Sequence, residues 1–192
     1  MLKQKMFAVL FAASLPMAAM AADSYTIDPP HTFPRFMINH LGFSTMEGRF
    51  DKTSGKVTLD RAAKKGSIDI TIDASSVSTG FAKRDEHLRS PDFFNVVEFP
   101  TITYKSNSIK FKGDTPSSVD GELTMAGVTK PVTLTIDDFN CGPDPMDPLK
   151  KKQKCGAAAS AEIKRSDFGI KFGLPAVGDD VKFVLEVEAY KD

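Results

Sequence analysis

The stretch "SIDITID", residues 67–73, puts Ile68, Ile70 and Ile72 on one side of an extended chain and Asp69, Thr71 and Asp73 on the other. A helix would scatter those isoleucines around its axis. A strand, whose side chains alternate between two faces, gives them one buried side. The same period of two recurs along the chain. It groups Val132, Leu134 and Ile136 in "VTLTI", and Val181, Phe183, Leu185, Val187 and Ala189 in "VKFVLEVEAY". In "FMINH" it sets Phe36, Ile38 and His40 against Met37 and Asn39. These are half-buried antiparallel strands. Turn signals fall between them at "TSG" (53–55), "KKG" (64–66), "KGDTPSS" (112–118) and "AGVTKP" (126–131). About eight main strands with short connections, no fixed-period repeat and no linker give one all-β domain, a sandwich or an up-and-down barrel.

The chain has 192 residues, and its first 21 read as a removable leader. "MLKQKMFAVLFAASLPMAAMAAD" has a basic start at Lys3 and Lys5, an apolar run from Met6 to Leu15 and the cleavage pattern Ala19-Met20-Ala21. The apolar run is too short to span a membrane. The domain is then 22–192, exported to the periplasm of a Gram-negative cell or to the outside. Without Lys3 and Lys5 the chain carries 23 basic and 25 acidic residues, so no basic excess points to nucleic acid.

Cys141 and Cys155 form an even pair in an exported chain, which reads as a structural disulfide rather than a redox-active or metal-binding pair, because CxxC spacing is missing. The enclosed "CGPDPMDPLKKKQKC" reads as an exposed loop. "AAASAEI" puts Ala157, Ala159, Ala161 and Ile163 on one face. If that face points inward, an eight-stranded barrel is left with room for a ligand, unless phenylalanines opposite fill the gap.

The densest stretch is "FAKRDEHLRSPDFFNVVEFP", residues 81–100. Serine and threonine caps precede it in "SSVSTGFAKRDEHLR", and Ser90-Pro91 reads as the N-cap and first position of a second short helix. Two short helical turns across one end of the sheet are expected, with Arg84, Asp85, Arg89 and Asp92 supplying ion pairs and caps, and Leu88, Phe93, Phe94 and Phe99 packing over the barrel end. As a catalytic site the stretch is weak. Asp85 and Glu86 adjoin His87 in sequence, and neighbouring helical residues do not face each other; no Gly-x-Ser-x-Gly elbow occurs. The histidines, His31, His40 and His87, lack the spacing of a ligand motif, although they can still converge in space. "SDFGI" (166–170) contains Asp167-Phe168-Gly169 without the glycine-rich and catalytic-loop motifs of a kinase; Gly169 reads as a bend and Arg165–Asp167 as a solvated ion pair.

"RDEHLRSPDFF" (84–94), with "YTIDPPHTFPRFMINHLGFSTMEGRF" (25–50), "SVSTG" (76–80), "FPTITYKS" (99–106), "GELTMAGVTKPVTL" (121–134) and "KRSDFGI" (164–170), resembles the YceI-like family of bacterial periplasmic proteins. The resemblance covers nearly the whole domain. It implies an antiparallel eight-stranded lipocalin-like barrel with short helical segments at one end, whose lumen holds a polyisoprenoid or an isoprenoid quinone tail. It further implies no established catalysis and a tendency to dimerise. The cysteine pair and its loop depart from the family pattern, and Pro34 marks a strand beginning or bulge.

Strand parity and the resemblance together give Phe36, Ile38, His40, Met46, Phe50, Ile68, Ile70, Ile72, Phe93, Phe94, Ile102, Tyr104, Phe183 and Leu185 as candidate ligand-binding residues. His40 stands out as either a satisfied core histidine or a polar anchor for a ligand oxygen. No catalytic residue, metal ligand or cofactor is expected beyond a bound lipid. The expected partners are that apolar lipid, transiently a membrane surface, and a second copy of the chain. The competing readings are a stress-response interaction protein and a small metal-assisted enzyme built on the histidines.

Overall fold

The computed structural model describes residues 22–192; the leader read at 1–21 lies outside the described residues. In chain order the elements are β1 (Asp23–Ile27), β2 (Phe33–His40), β3 (Ser44–Phe50), β4 (Thr53–Asp60), β5 (Lys65–Asp73), β6 (Val77–Ser78), α1 (Ala82–Arg89), β7 (Thr101–Lys112), β8 (Thr115–Met125), β9 (Val128–Pro143), β10 (Gln153–Lys164) and β11 (Val177–Lys191). All pairings are antiparallel, and the ring β1-β4-β5-β7-β8-β9-β10-β11 closes where β11 returns to β1. The fold is a closed eight-stranded antiparallel barrel.

Two of its staves are bent. β1 and β2 both pair with β11, interrupted by a 3-10 turn at Pro29–His31. β3 pairs with β2, and β4 pairs with β1. The bend carries β2 and β3 past the closed part of the barrel, where, among the described residues, the free edge of β3 pairs only with the two residues of β6. α1 and the segment 90–100 complete that end. Proline is tolerated at Pro34 because it is the second residue of β2, where pairing with β3 has not yet begun.

"TSG" at 53–55 is not a turn but the start of β4; the connection is Asp51-Lys52. Gly55 serves close packing instead: a Cβ there would lie 2.2 Å from the Asp69 carbonyl oxygen. The true two-residue hairpin turn at Ala126-Gly127 has both residues at positive φ, as a type I′ turn requires.

The outer face carries charged pairs such as Lys105–Asp69, Lys110–Asp120 and Lys164–Asp180, the reverse of the apolar outer band of a membrane-spanning barrel. No helix among the described residues is long and apolar enough to cross a membrane. Cys141 and Cys155 face each other across β9 and β10 and form a disulfide. The strands thus run into the segment read as loop and leave only residues 144–152 outside regular pairing. Asp147 orders those residues, its carboxylate accepting from the backbone N–H groups of Leu149, Lys151 and Lys152.

Candidate functional site

The inward side chains enclose a cavity of about 470 Å³, within the range of small-molecule sites. All fourteen residues named from the sequence stand on its wall: Phe36, Ile38 and His40 from β2, Met46 and Phe50 from β3, Ile68, Ile70 and Ile72 from β5, Phe93 and Phe94 from the lid segment, Ile102 and Tyr104 from β7, and Phe183 and Leu185 from β11. Ala157 and Ala159 join them, so the alanine face does point inward and is not fully filled from opposite. Ile163, on the same face, is instead packed into the core beside Phe168 and Val181.

Other wall residues escaped the parity reading for a physical reason. A bulge at Ala158/Ala159 shifts β9 so that Ile136 and Phe139, of opposite parity, both face inward. A second irregularity between Lys105 and Ser108 does the same for Tyr104 and Ile109. Val119, Leu123 and Met125 of β8 alternate regularly but sit in a polar-looking sequence that gave no signal.

The lid is a single helix. Residues 91–94 are turns, and Ser90 is the C-cap of α1, not the N-cap of a second helix. Its backbone oxygen accepts from Phe93 and Asn95, and its hydroxyl accepts from the Asp92 N–H. The lid is held by hydrogen bonds to backbone more than by the expected ion pairs. Arg84 donates to the Thr79 hydroxyl at 2.7 Å and to the Thr79 carbonyl at 2.9 Å. Buried Asp85 accepts from the Thr79 N–H at 2.8 Å and from its hydroxyl. Arg89 donates to the carbonyls of Ser75 and Val77. Beneath the lid, Phe36, Phe50 and Phe94 form a three-ring cluster with centroids 5.4–6.4 Å apart. Phe99 packs instead on Gly127 at the β8–β9 turn.

The second end segment, 165–176, is organised by Arg165. It is no solvated partner of Asp167: it is buried and donates to four carbonyls, those of Gly178, Ile170, Phe172 and Val177. Burial pulls its guanidinium below its usual range, opposed by the charge of Asp179. Ser166 donates to Asp179 through its N–H and its hydroxyl, holding that carboxyl below its usual range. Gly169 ends the intervening 3-10 turn in the left-handed conformation.

Polar groups on the wall are few and mostly satisfied. The Tyr104 hydroxyl lies 3.0 Å from the Val119 carbonyl and 2.9 Å from that of Val132, and burial pushes its pKa up. Arg84, His40, Glu47 and His87 stand toward the lid end. His87 pairs with Asp92 at 2.8 Å, a partner five residues on that adjacency arguments missed. Among the described residues its other ring nitrogen meets no hydroxyl or thiol side chain, and both cysteines are bridged.

The three histidines do not converge. His40 pairs with Val177 and His31 lies beside Glu188, far apart along β11. Among the described residues Asp28, His31 and Glu188 do come together, but the Lys154 ammonium stands 3.3 Å from Asp28 and contacts Glu188, already filling the cation's place.

A closed barrel with a lid at one end and an almost wholly carbon-lined lumen has room for an apolar molecule. Residues 25–189 match the YceI-like domain. The chain belongs to the YceI-like family. A UPF0312 protein of Pseudomonas aeruginosa (strain LESB58) is 40% identical over 196 residues, covering all of both chains. Protein YceI of Escherichia coli O17:K52:H18 (strain UMN026 / ExPEC) is 39% identical over 97% of each chain. Among solved structures, BcnA of Burkholderia cenocepacia is similar with a TM-score of 0.68 at 25% identity, over 84% of this chain and 98% of that one. A polyisoprenoid binding domain from Saccharophagus degradans shares the YceI-like fold with a TM-score of 0.63 at 16% identity, over 88% and 98%.

Proposed function

We propose that this YceI-like protein is a non-enzymatic periplasmic carrier for a long apolar lipid, a polyisoprenoid or the tail of an isoprenoid quinone, held in the barrel lumen. The observation that carries this reading is the cavity itself. Its wall is built mainly of isoleucine, leucine, valine, phenylalanine and alanine, so binding draws on apolar burial, about 0.8 kcal/mol per methylene removed from water. Taking about 30 Å³, a water's share of liquid volume, for each methylene-sized group, the lumen holds roughly 15 such groups. A longer chain therefore emerges at the mouth. The few polar wall groups are mostly engaged with the protein, which suits a ligand recognised by its chain more than by its head. The disulfide, together with the leader expected from the sequence at 1–21, supports an oxidising, exported setting. The named polyisoprenoid binding of the Saccharophagus domain agrees with the cargo class.

The test is extraction. The protein is purified without detergent from the periplasm of its expression host, treated with organic solvent, and the released material weighed by mass spectrometry. A stoichiometric lipid with an isoprenoid mass ladder is expected. A fatty acid or amide would replace the cargo class, and an empty extract from folded protein would overturn the carrier reading.

A further inference from the structure

The lid end of the barrel is ringed by large apolar side chains that face water. Phe43, at the β2–β3 hairpin, is 91% exposed and its neighbour Leu41 is 48% exposed; Phe81, at the start of α1, and Phe172, in the segment before β11, are each about half exposed at 55% and 49%. These are not scattered. The hairpin is tied to the segment before β11 by a hydrogen bond from the Leu41 N–H to the Ala176 carbonyl. That segment meets α1 through the edge-on rings of Phe172 and His87, 4.9 Å apart. The helix returns to β3 through Arg84, whose guanidinium lies 3.7 Å from the Met46 sulfur and over the Phe81 ring. The circuit is therefore closed, and its inner members, His40, Met46, Arg84, His87 and Phe172, are also cavity wall.

We infer that this rim is the face by which the protein docks on a lipid bilayer to load its cargo. The inference rests on the carrier reading and names the partner that the carrier needs. What points to a bilayer is continuity. Phe172 belongs both to the lumen and to the exposed rim, so the apolar surface runs unbroken from the cavity to the outside. A chain passing from membrane to lumen over this rim never crosses water. The hairpin tip is tied back by a side chain, Asn39 accepting from the Gly42 N–H at 2.9 Å. Exposed Lys83 and Lys171 lie two and one residues from Phe81 and Phe172 in sequence, cations of the kind that accompany apolar residues at a membrane surface. Contiguous exposed apolar patches of this kind mark interaction sites in soluble proteins.

The opposite end provides an internal control. There the 144–152 segment exposes Met146 and Leu149, at 85% and 70%, beside Lys150, Lys151 and Lys152, but no lumen residue reaches that surface segment. The experiment is co-flotation of the protein with phosphatidylcholine vesicles, paired with uptake of a C20 prenol from detergent micelles. In L41S/F43S, removal of two water-facing side chains leaves the core untouched. Vesicle partitioning is expected to fall tenfold or more, from the transfer value of a single Phe alone, and prenol uptake from vesicles to slow in step. Uptake from micelles should stay within twofold, and M146S/L149S should partition like the wild type. Equal partitioning of L41S/F43S and wild type overturns the inference, as does loss of partitioning in M146S/L149S. A wild-type dimer that buries Phe43 and ignores vesicles also overturns it, by assigning the rim to a second copy. Failure of the wild type to take up prenol even from micelles overturns the carrier reading instead.

Discussion

His87 of α1 and Phe172 of the segment before β11, separated by 85 positions in sequence, meet edge-on at 4.9 Å and join the lid helix to the second end segment. Phe93 completes the contact from a third direction, 5.0 Å from His87 and 5.5 Å from Phe172. Aromatic pairs contribute about 0.5–1.5 kcal/mol beyond area burial. His87→Ala is therefore expected to lower stability by about 1–2 kcal/mol in urea titration, and to speed release of a bound chain several-fold in stopped-flow displacement. A variant equal to the wild type in both readouts would remove His87 from the lid.

Ala159 lies on the lumen wall, paired with Leu185 across β10 and β11. Ala159→Phe places a ring in space that the cargo would occupy. The expected outcome is a folded protein destabilised by no more than about 1–3 kcal/mol, the range for small-to-large changes, and a loss of at least tenfold in prenol affinity by fluorescence titration. Unchanged affinity would mean that the chain lies elsewhere.

Arg165 offers the sharpest stability test. Arg165→Met leaves four backbone carbonyls without the donor they share, at about 1–3 kcal/mol for each group that water cannot reach. A loss of at least 3 kcal/mol in the denaturation midpoint analysis is expected. Arg165→Lys should rescue little, because an ammonium cannot spread over four acceptors as the planar guanidinium does.

The Cys141–Cys155 bridge closes a loop with a sequence separation of 14. Cys141→Ser with Cys155→Ser should cost about 3 kcal/mol in the chain-entropy account. Prenol affinity should hold, since neither cysteine lies on the lumen wall.

Acid should weaken the fold. Asp179 is held below its usual range by the Ser166 N–H and hydroxyl, and Asp147 chiefly by the Lys152 N–H. A carboxyl whose folded pKa is depressed adds stability that is whole above its unfolded value near 3.9, and that is lost as pH falls through the folded value. Urea midpoints should therefore be flat from pH 7 to about 5 and fall below about 4. Asp147→Asn and Asp179→Asn should each flatten that fall. An unchanged acid slope in the double variant would assign it to other groups.

The architecture was legible because alternation survives in most strands: the isoleucines of 68–72 and the residues of 181–187 stand where period two puts them. Parity failed only where a bulge resets it, as at Phe139 and Ile109, since one extra residue flips every later side chain. The lid was legible as a place but not as a mechanism. Charge density in "KRDEHLR" suggested ion pairs, while Arg89 and Arg165 spend their donors on backbone carbonyls, and Arg84 on the Thr79 hydroxyl and carbonyl, partners that no sequence pattern displays. The His87–Asp92 pair and the exposed rim needed the fold, because both depend on where chain segments end up relative to the mouth.

Closure joins Tyr25 to Lys191, nearly the full described length, through the pairing of β1 with β11. Because β11 also carries β2 and β10, no partial chain lacking it has a lumen. Until that final strand docks, every inward isoleucine and phenylalanine lies on an open sheet with its apolar face toward solvent, the state in which long-range β proteins are slowest and most prone to aggregate. A chain interrupted before residue 177 would therefore present an adhesive surface, not a smaller barrel.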